Sequence, residues 1–368
     1  MSRLHAIYHL RSTAQDVAAR ARALALEQSI EMPLEPVTSA YVRDEIVASV
    51  EGITEIAPGR YAVVLGIATA TTGGEIGQAM NMLFGNCSLQ DDVELVDVGF
   101  PDDFLEGFAG PRHGLEGIRA RVGAEGRALT MTALKPQGLP PEALGELCEV
   151  FARAGLDIIK DDHGIANQAY SPFAARVTHC QRAVARANAS TGGRSVYAPS
   201  LSGGPRQLRE QLRIVREEGV AMVLACPMLL GLANFRELVQ YELDVPVLAH
   251  PALGGAARIH PPLLFGRLFR LLGADATIFP NYGGRFSYDR ATCEALAHAA
   301  RAPWREFRAS VPVPAGGMSV SRVSEMLEVY GRDVCLLIGG GLLSAGSELA
   351  ARSREFVDGV RTLSQRSA

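Results

Sequence analysis

Four consecutive polar residues, Lys160-Asp161-Asp162-His163, directly follow an apolar run at residues 156–159. Alternate side chains on a strand face opposite sides, so Lys160 and Asp162 share one face while Asp161 points away or joins the loop. A carboxylate with an imidazole neighbour suits a divalent cation, and Lys160 can join that set if it is modified or deprotonated. The plainer alternative is a charged strand end with a Lys–Asp ion pair. Lys135 ends another apolar run, residues 128–134, and stands before Pro136. A lysine there can act as a base or hold an anionic intermediate, because burial readily lowers its pKa; a solvated loop lysine is the alternative. His250 ends the run VPVLA as a catalyst or as a hydrogen-bonded structural group. Two glycine clusters, Gly316-Gly317 and Gly339-Gly340-Gly341, end later runs; bare backbone there can grip a phosphate or can simply turn tightly. Arg285, within NYGGRF, is a candidate anion contact on a glycine-hinged loop, or a surface arginine.

These groups need a frame that brings strand ends together. Apolar runs at residues 128–134, 156–159, 195–197, 221–225, 245–249, 276–279, 311–314 and 334–338 alternate with segments of helical periodicity. Eight such units predict a parallel (β/α)₈ barrel, and about 250 residues suffice for one. The active site of such a barrel lies at the carboxyl ends of its strands, where the polar residues above fall. An open doubly wound sheet is the rival, disfavoured because no glycine-rich dinucleotide fingerprint follows the first strand. Residues 1–125 read differently. Strand candidates at 4–10, 61–69 and 93–98 mix with helical stretches at 14–27 and 75–83, which predicts a small α+β, ferredoxin-like domain before the barrel at 126–368.

The composition fits this frame. Of 368 residues, 48% are hydrophobic and 21% charged, enough for a large core. A formal charge of −4 and a pI near 6.1 argue against a nucleic-acid or anionic-membrane binder. The six cysteines contain no CxxC pair and read as buried free thiols. The apolar stretches fall far short of the ~20 residues that cross a bilayer, and no signal-peptide pattern opens the chain. A soluble cytoplasmic protein is expected.

Taken together, these residues resemble the RuBisCO superfamily, specifically its RuBisCO-like proteins. The pairing LKPQG at 134–138 with GLDIIKDD at 155–162 carries the resemblance, and matches continue at His250, Gly316-Gly317 and Gly339–Gly341. The resemblance implies that Lys160 is carbamylated and ligates Mg²⁺ beside Asp162 and His163. It implies a phosphate bound at Gly316, Gly317, Gly340 and Gly341. ALEQS at 25–29 and NMLFGN at 81–86 look like the family's segments that reach a partner's barrel mouth, which implies a homodimer or larger assembly with Glu27 and Asn81 at the partner's site. Several positions depart from the carboxylases: His163 stands for a glutamate ligand, Gln137 for a second lysine, Pro251 for an arginine on the distal phosphate, and Phe279 for a histidine. Ala315 stands for a serine, and YGGR lacks the lysine that closes over CO₂.

Enolate chemistry on a phosphorylated keto-sugar or keto-sugar acid is therefore expected, not CO₂ fixation. Decarboxylation is the favoured branch, with Arg285 holding the leaving carboxylate. The alternatives are a methionine-salvage enolase or isomerase and a non-catalytic sugar-phosphate binder. Lys135, the Lys160 carbamate and His250 all stand as candidate bases.

Overall fold

The computed structural model describes residues 2–366. It divides into two compact units, each with its own core.

The first unit runs to Phe108 and includes Gly231–Ala233 and Leu253–Leu264. Strands β1 (Arg3–Arg11), β2 (Ser49–Ala57), β3 (Arg60–Ala68) and β4 (Val93–Gly99) form an antiparallel sheet in the order β2-β3-β1-β4. With the helices Val17–Glu27 and Ile76–Phe84 this is the βαββαβ arrangement of ferredoxin-like domains. Period-two burial drives it: Leu4, Ala6, Tyr8 and Leu10 of β1 are all buried, while His5 and Arg11 on the other face are exposed. Strand β2 escapes sequence reading because SVEGITEIA buries no side chain and carries a glycine, so it shows no alternation. Its pairing with β3 makes it a strand.

The second unit holds the remaining chain. Its strands are β5 (Leu129–Leu134), β6 (Ile158–Asp161), β7 (Val196–Ala198), β8 (Ser200–Leu201), β9 (Val223–Ala225), β10 (Val247–Ala249), β11 (Ala276–Pro280), β12 (Val311–Ala315) and β13 (Cys335–Leu337). All pair in parallel, as β13-β5-β6-β7 and β8-β9-β10-β11-β12. β7 and β8 are one barrel strand interrupted at Pro199, whose carbonyl accepts from Leu224 N–H at 2.9 Å. The eight strand positions expected from the sequence are thereby occupied.

Met131, Ile158, Leu224, Leu248, Ile278 and Val313 pack into the barrel interior. Leu115, Ile118 and Val122 of the helix Gly114–Val122 join the same cluster. That packing places the boundary between units after Phe108, not near residue 125 as the sequence reading had it. Asp275 fixes this helix: its buried carboxylate accepts from the N–H groups of His113 and Gly114, each at 2.7 Å, and of Val247 at 2.9 Å.

Candidate active site

Strand register brings the polar groups together. Leu134 pairs with Asp161, so the next residues along β5 and β6, Lys135 and Asp162, lie side by side. Lys135 Nζ stands 2.7 Å from Asp162 Oδ2. Lys160 pairs across to Ala133 and Ala198, is buried, and donates from Nζ to the Asp161 carbonyl at 2.9 Å. Ala249 pairs with Ala225, which sets His250 beside Cys226 at the ends of β10 and β9. The His163 and His250 rings stack with centroids 4.0 Å apart and planes 13° from parallel. His163 Nδ1 is 3.6 Å from Asp162 Oδ1.

Asp161 points the other way, as alternation requires. Its buried carboxylate accepts from Tyr197 Oη at 2.7 Å, Ser200 N–H at 3.0 Å and Arg176 Nε at 3.1 Å. Arg176 is itself buried on the helix Phe173–Thr191. This outward anchor ties β6, β7 and β8 to that helix and holds Lys160 and Asp162 on the inward face.

The electrostatics follow from burial and crowding. Burial lowers the Lys160 amine to about 8, Asp162 opposing and the Lys135 charge assisting the shift. Burial disfavours an ionised Asp162, but hydrogen bonding with His163 and Lys135 and the Lys160 charge outweigh it. The carboxyl is held well below the usual carboxylate range. Burial, then the charges of Lys160 and His163, lower the His250 imidazole to about 2. Its Nδ1 accepts from Ala252 N–H at 3.1 Å, so the neutral ring carries its proton on Nε2. The Nε2–H of His250 is thereby left free to donate. Burial pushes the Cys226 thiol up to about 11, so it stays protonated beside the lysine. The sequence had shown Cys226 only as a buried thiol; its position one residue past a barrel strand was the signal.

The glycine clusters lie at the ends of β12 and β13. Gly316 and Gly317 have φ of +84° and +75°, in the region that favours glycine. A Cβ on Gly316 would meet Phe286 at 2.9 Å, and one on Gly317 would collide with Gly284. These glycines thus admit the loop after β11 as well as presenting open backbone. That loop is fixed at its root, where Tyr282 Oη donates to Glu325 at 2.7 Å and Arg322 Nε to the same carboxylate at 2.8 Å. Gly340 and Gly341 are exposed and open the short helix Gly340–Leu343; Lys135 Cε comes within 3.8 Å of where a Gly339 Cβ would stand. Arg285 is exposed, its guanidinium carbon 5.0 Å from the centre of the Phe286 ring.

Glu27 and Asn81 belong to the first unit. Glu27 ends the helix Val17–Glu27 and accepts from Asn86 Nδ2 at 2.9 Å; Asn81 lies exposed on the helix Ile76–Phe84. Gln28 bridges the two segments through Nε2 to the Met82 carbonyl at 2.7 Å.

The barrel's strand ends thus gather two lysines, a carboxylate and two imidazoles, a set whose chemistry suits an anionic ligand. The chain belongs to the RuBisCO large-chain superfamily, among its RuBisCO-like proteins: residues 114–353 match the family described as ribulose bisphosphate carboxylase large chain, catalytic domain. It is 52% identical to ribulose bisphosphate carboxylase-like protein 1 of Rhodopseudomonas palustris, with 99% of each chain covered. It is also 52% identical to the 5-methylthioribulose-1-phosphate isomerase of Rhodospirillum rubrum, covering 97% of this chain and 96% of that one. The crystal structure of a Rubisco-like protein from Rhodopseudomonas palustris superposes with a TM-score of 0.92 at 50% identity, covering 98% of both chains. No helix among the described residues is long and apolar enough to cross a membrane.

Proposed function

We propose that the protein isomerises a keto-sugar phosphate of the 5-methylthioribulose-1-phosphate type by proton transfer through an enediolate. The observation that carries this reading is the 52% identity, across nearly the full chain, to a relative named for that isomerase. The mouth's chemistry supports it. Removal of a proton beside the substrate carbonyl builds negative charge on oxygen, and Lys135 and the His250 Nε2–H are the donors available to it, with Lys160 reserved for the metal site. Reprotonation at the neighbouring carbon moves the carbonyl without loss of any group. The decarboxylase branch depended on Arg285 as a carboxylate clamp. An exposed guanidinium lying over Phe286 gives that branch no support.

The donor set fits a divalent cation. Asp162 and His163 are adjacent at the end of β6, and a Lys160 amine brought to about 8 leaves a neutral fraction able to take up CO₂. A carbamate would replace a buried positive charge with a hard oxygen donor. Mg²⁺ held by Asp162, His163 and that carbamate would supply Lewis-acid polarisation of the substrate carbonyl. The substrate phosphate is assigned to the backbone of Gly316, Gly317, Gly340 and Gly341. Glu27 and Asn81 are assigned to the partner's mouth in a homodimer.

The test is conversion of 5-methylthioribulose 1-phosphate in D₂O, followed by NMR, with and without Mg²⁺ and bicarbonate. Wild type is expected to form an isomer carrying solvent deuterium, and Lys160→Ala to lose at least 10²-fold in rate. Binding without conversion or deuterium uptake would overturn the catalytic reading in favour of a sugar-phosphate binder.

A further inference from the structure

We propose that His9, Glu94 and His260 form a binding site for a borderline divalent transition ion of the Zn²⁺ type, with Arg60 as the group that occupies it in the metal-free protein. All three residues lie in the first unit. His9 and Glu94 face each other as direct partners across the antiparallel β1–β4 ladder. His260 is delivered by the segment Leu253–Leu264, which runs against β4. Leu95 N–H donates to the Arg258 carbonyl at 3.0 Å, and His260 N–H to the Leu95 carbonyl at 2.9 Å. Each residue offers one ligand atom, and these atoms lie within 4.8 Å of one another.

Two imidazoles and one carboxylate make a donor set suited to Zn²⁺ and poor for Mg²⁺, which prefers oxygen throughout. Zinc–ligand distances of about 2.0–2.1 Å put tetrahedral donors roughly 3.4 Å apart. Closing from 4.8 Å therefore needs little more than an ångström of side-chain movement. The His9 and His260 rings already meet edge to face, with centroids 5.5 Å apart.

A cation already sits among these groups. Arg60 Nη2 lies 2.8 Å from Glu94 Oε2 and 3.1 Å from His9 Nδ1. The guanidinium satisfies two of the three donors but is itself 44% exposed on its side chain, so it can swing into solvent when a metal arrives. A bound ion would link β1, β4 and the segment Leu253–Leu264 through three coordinate bonds in place of one ion pair.

The experiment is calorimetric titration of metal-free full-length protein with Zn²⁺, with Co²⁺ as a spectroscopic probe. Wild type is expected to show an equivalent of uptake that persists in Asp162→Asn, which separates it from any uptake at the barrel mouth. Arg60→Gln is expected to bind at least tenfold more tightly. His9→Gln, Glu94→Gln and His260→Gln are each expected to weaken binding tenfold or more and to lose the visible Co²⁺ d–d absorption while keeping the wild-type circular dichroism. Coincident isotherms for wild type and these three variants, or no saturable uptake by wild type, would overturn the site.

Discussion

The imidazoles of His163 and His250 lie face to face, 4.0 Å between ring centres, although they come from the ends of β6 and β10. The stack places a neutral, half-buried ring against one that stands next to the Asp162 carboxylate. His250 thus has a lower affinity for protons in the folded protein than in the unfolded chain. Acid protonates the unfolded form first, so stability present above about pH 6.5 is lost as the pH falls toward the folded value of about 2. His250→Asn should remove about 1–2 kcal/mol of the stability lost between pH 7 and pH 5. Urea midpoints of both proteins across that range will show it. Parallel pH dependence in the two would refute the assignment.

His163 also bears on metal preference. An imidazole next to Asp162 is a weaker ligand for a hard cation than a carboxylate. His163→Glu is expected to tighten Mg²⁺ binding by about tenfold, roughly 1.4 kcal/mol. Mg²⁺ titration in the presence of bicarbonate is the measurement; unchanged affinity would place the ion elsewhere.

Lys135 and Asp162 form a close pair, 2.7 Å apart, with Lys135 35% exposed on its side chain. The pair keeps a cationic donor at the mouth and the carboxylate oriented. Lys135→Met should reduce kcat by about 10²–10³-fold, as expected for loss of a charged group facing an enediolate. KM should change far less. Steady-state kinetics on the methylthio-sugar phosphate decide this, and a pure KM effect would reduce Lys135 to a binding group.

Gly317 packs against Gly284 so closely that a side chain has no room. Gly317→Ala is strained by its φ of +75° and must also push back the loop after β11. KM is expected to rise tenfold or more, and inhibition by inorganic phosphate to weaken in parallel. If KM rises while phosphate inhibition stays unchanged, Gly317 serves the loop and not the anion.

Asp275 accepts three backbone N–H groups at the opposite end of the barrel from the candidate site. Asp275→Ala would leave those donors unpaired beneath the helix Gly114–Val122, at a cost of about 3 kcal/mol or more. Chemical denaturation should show the loss directly. A change below 1 kcal/mol would mean that water or a local shift satisfies the donors.

The sequence alone determined the eight barrel strands and the identity of the residues at their carboxyl ends. Buried parallel strands are short apolar runs, and a polar residue just after such a run is displayed at one rim, so both features are local. The paired motifs around Lys135 and Lys160 were legible for the same reason. Only tertiary structure decided which of those residues meet. The Lys135–Asp162 contact and the His250–Cys226 adjacency depend on strand register, which no single segment encodes. The stacking of His163 on His250, the neutrality of His250 and the seat of the loop upon Gly316 and Gly317 depend on burial and neighbours from distant segments. Strand β2 and the helix Gly114–Val122 show the same limit from the side of the fold. One buries nothing and exists through its pairing; the other was separated from the barrel it closes because its apolar face has meaning only against the strands beneath it.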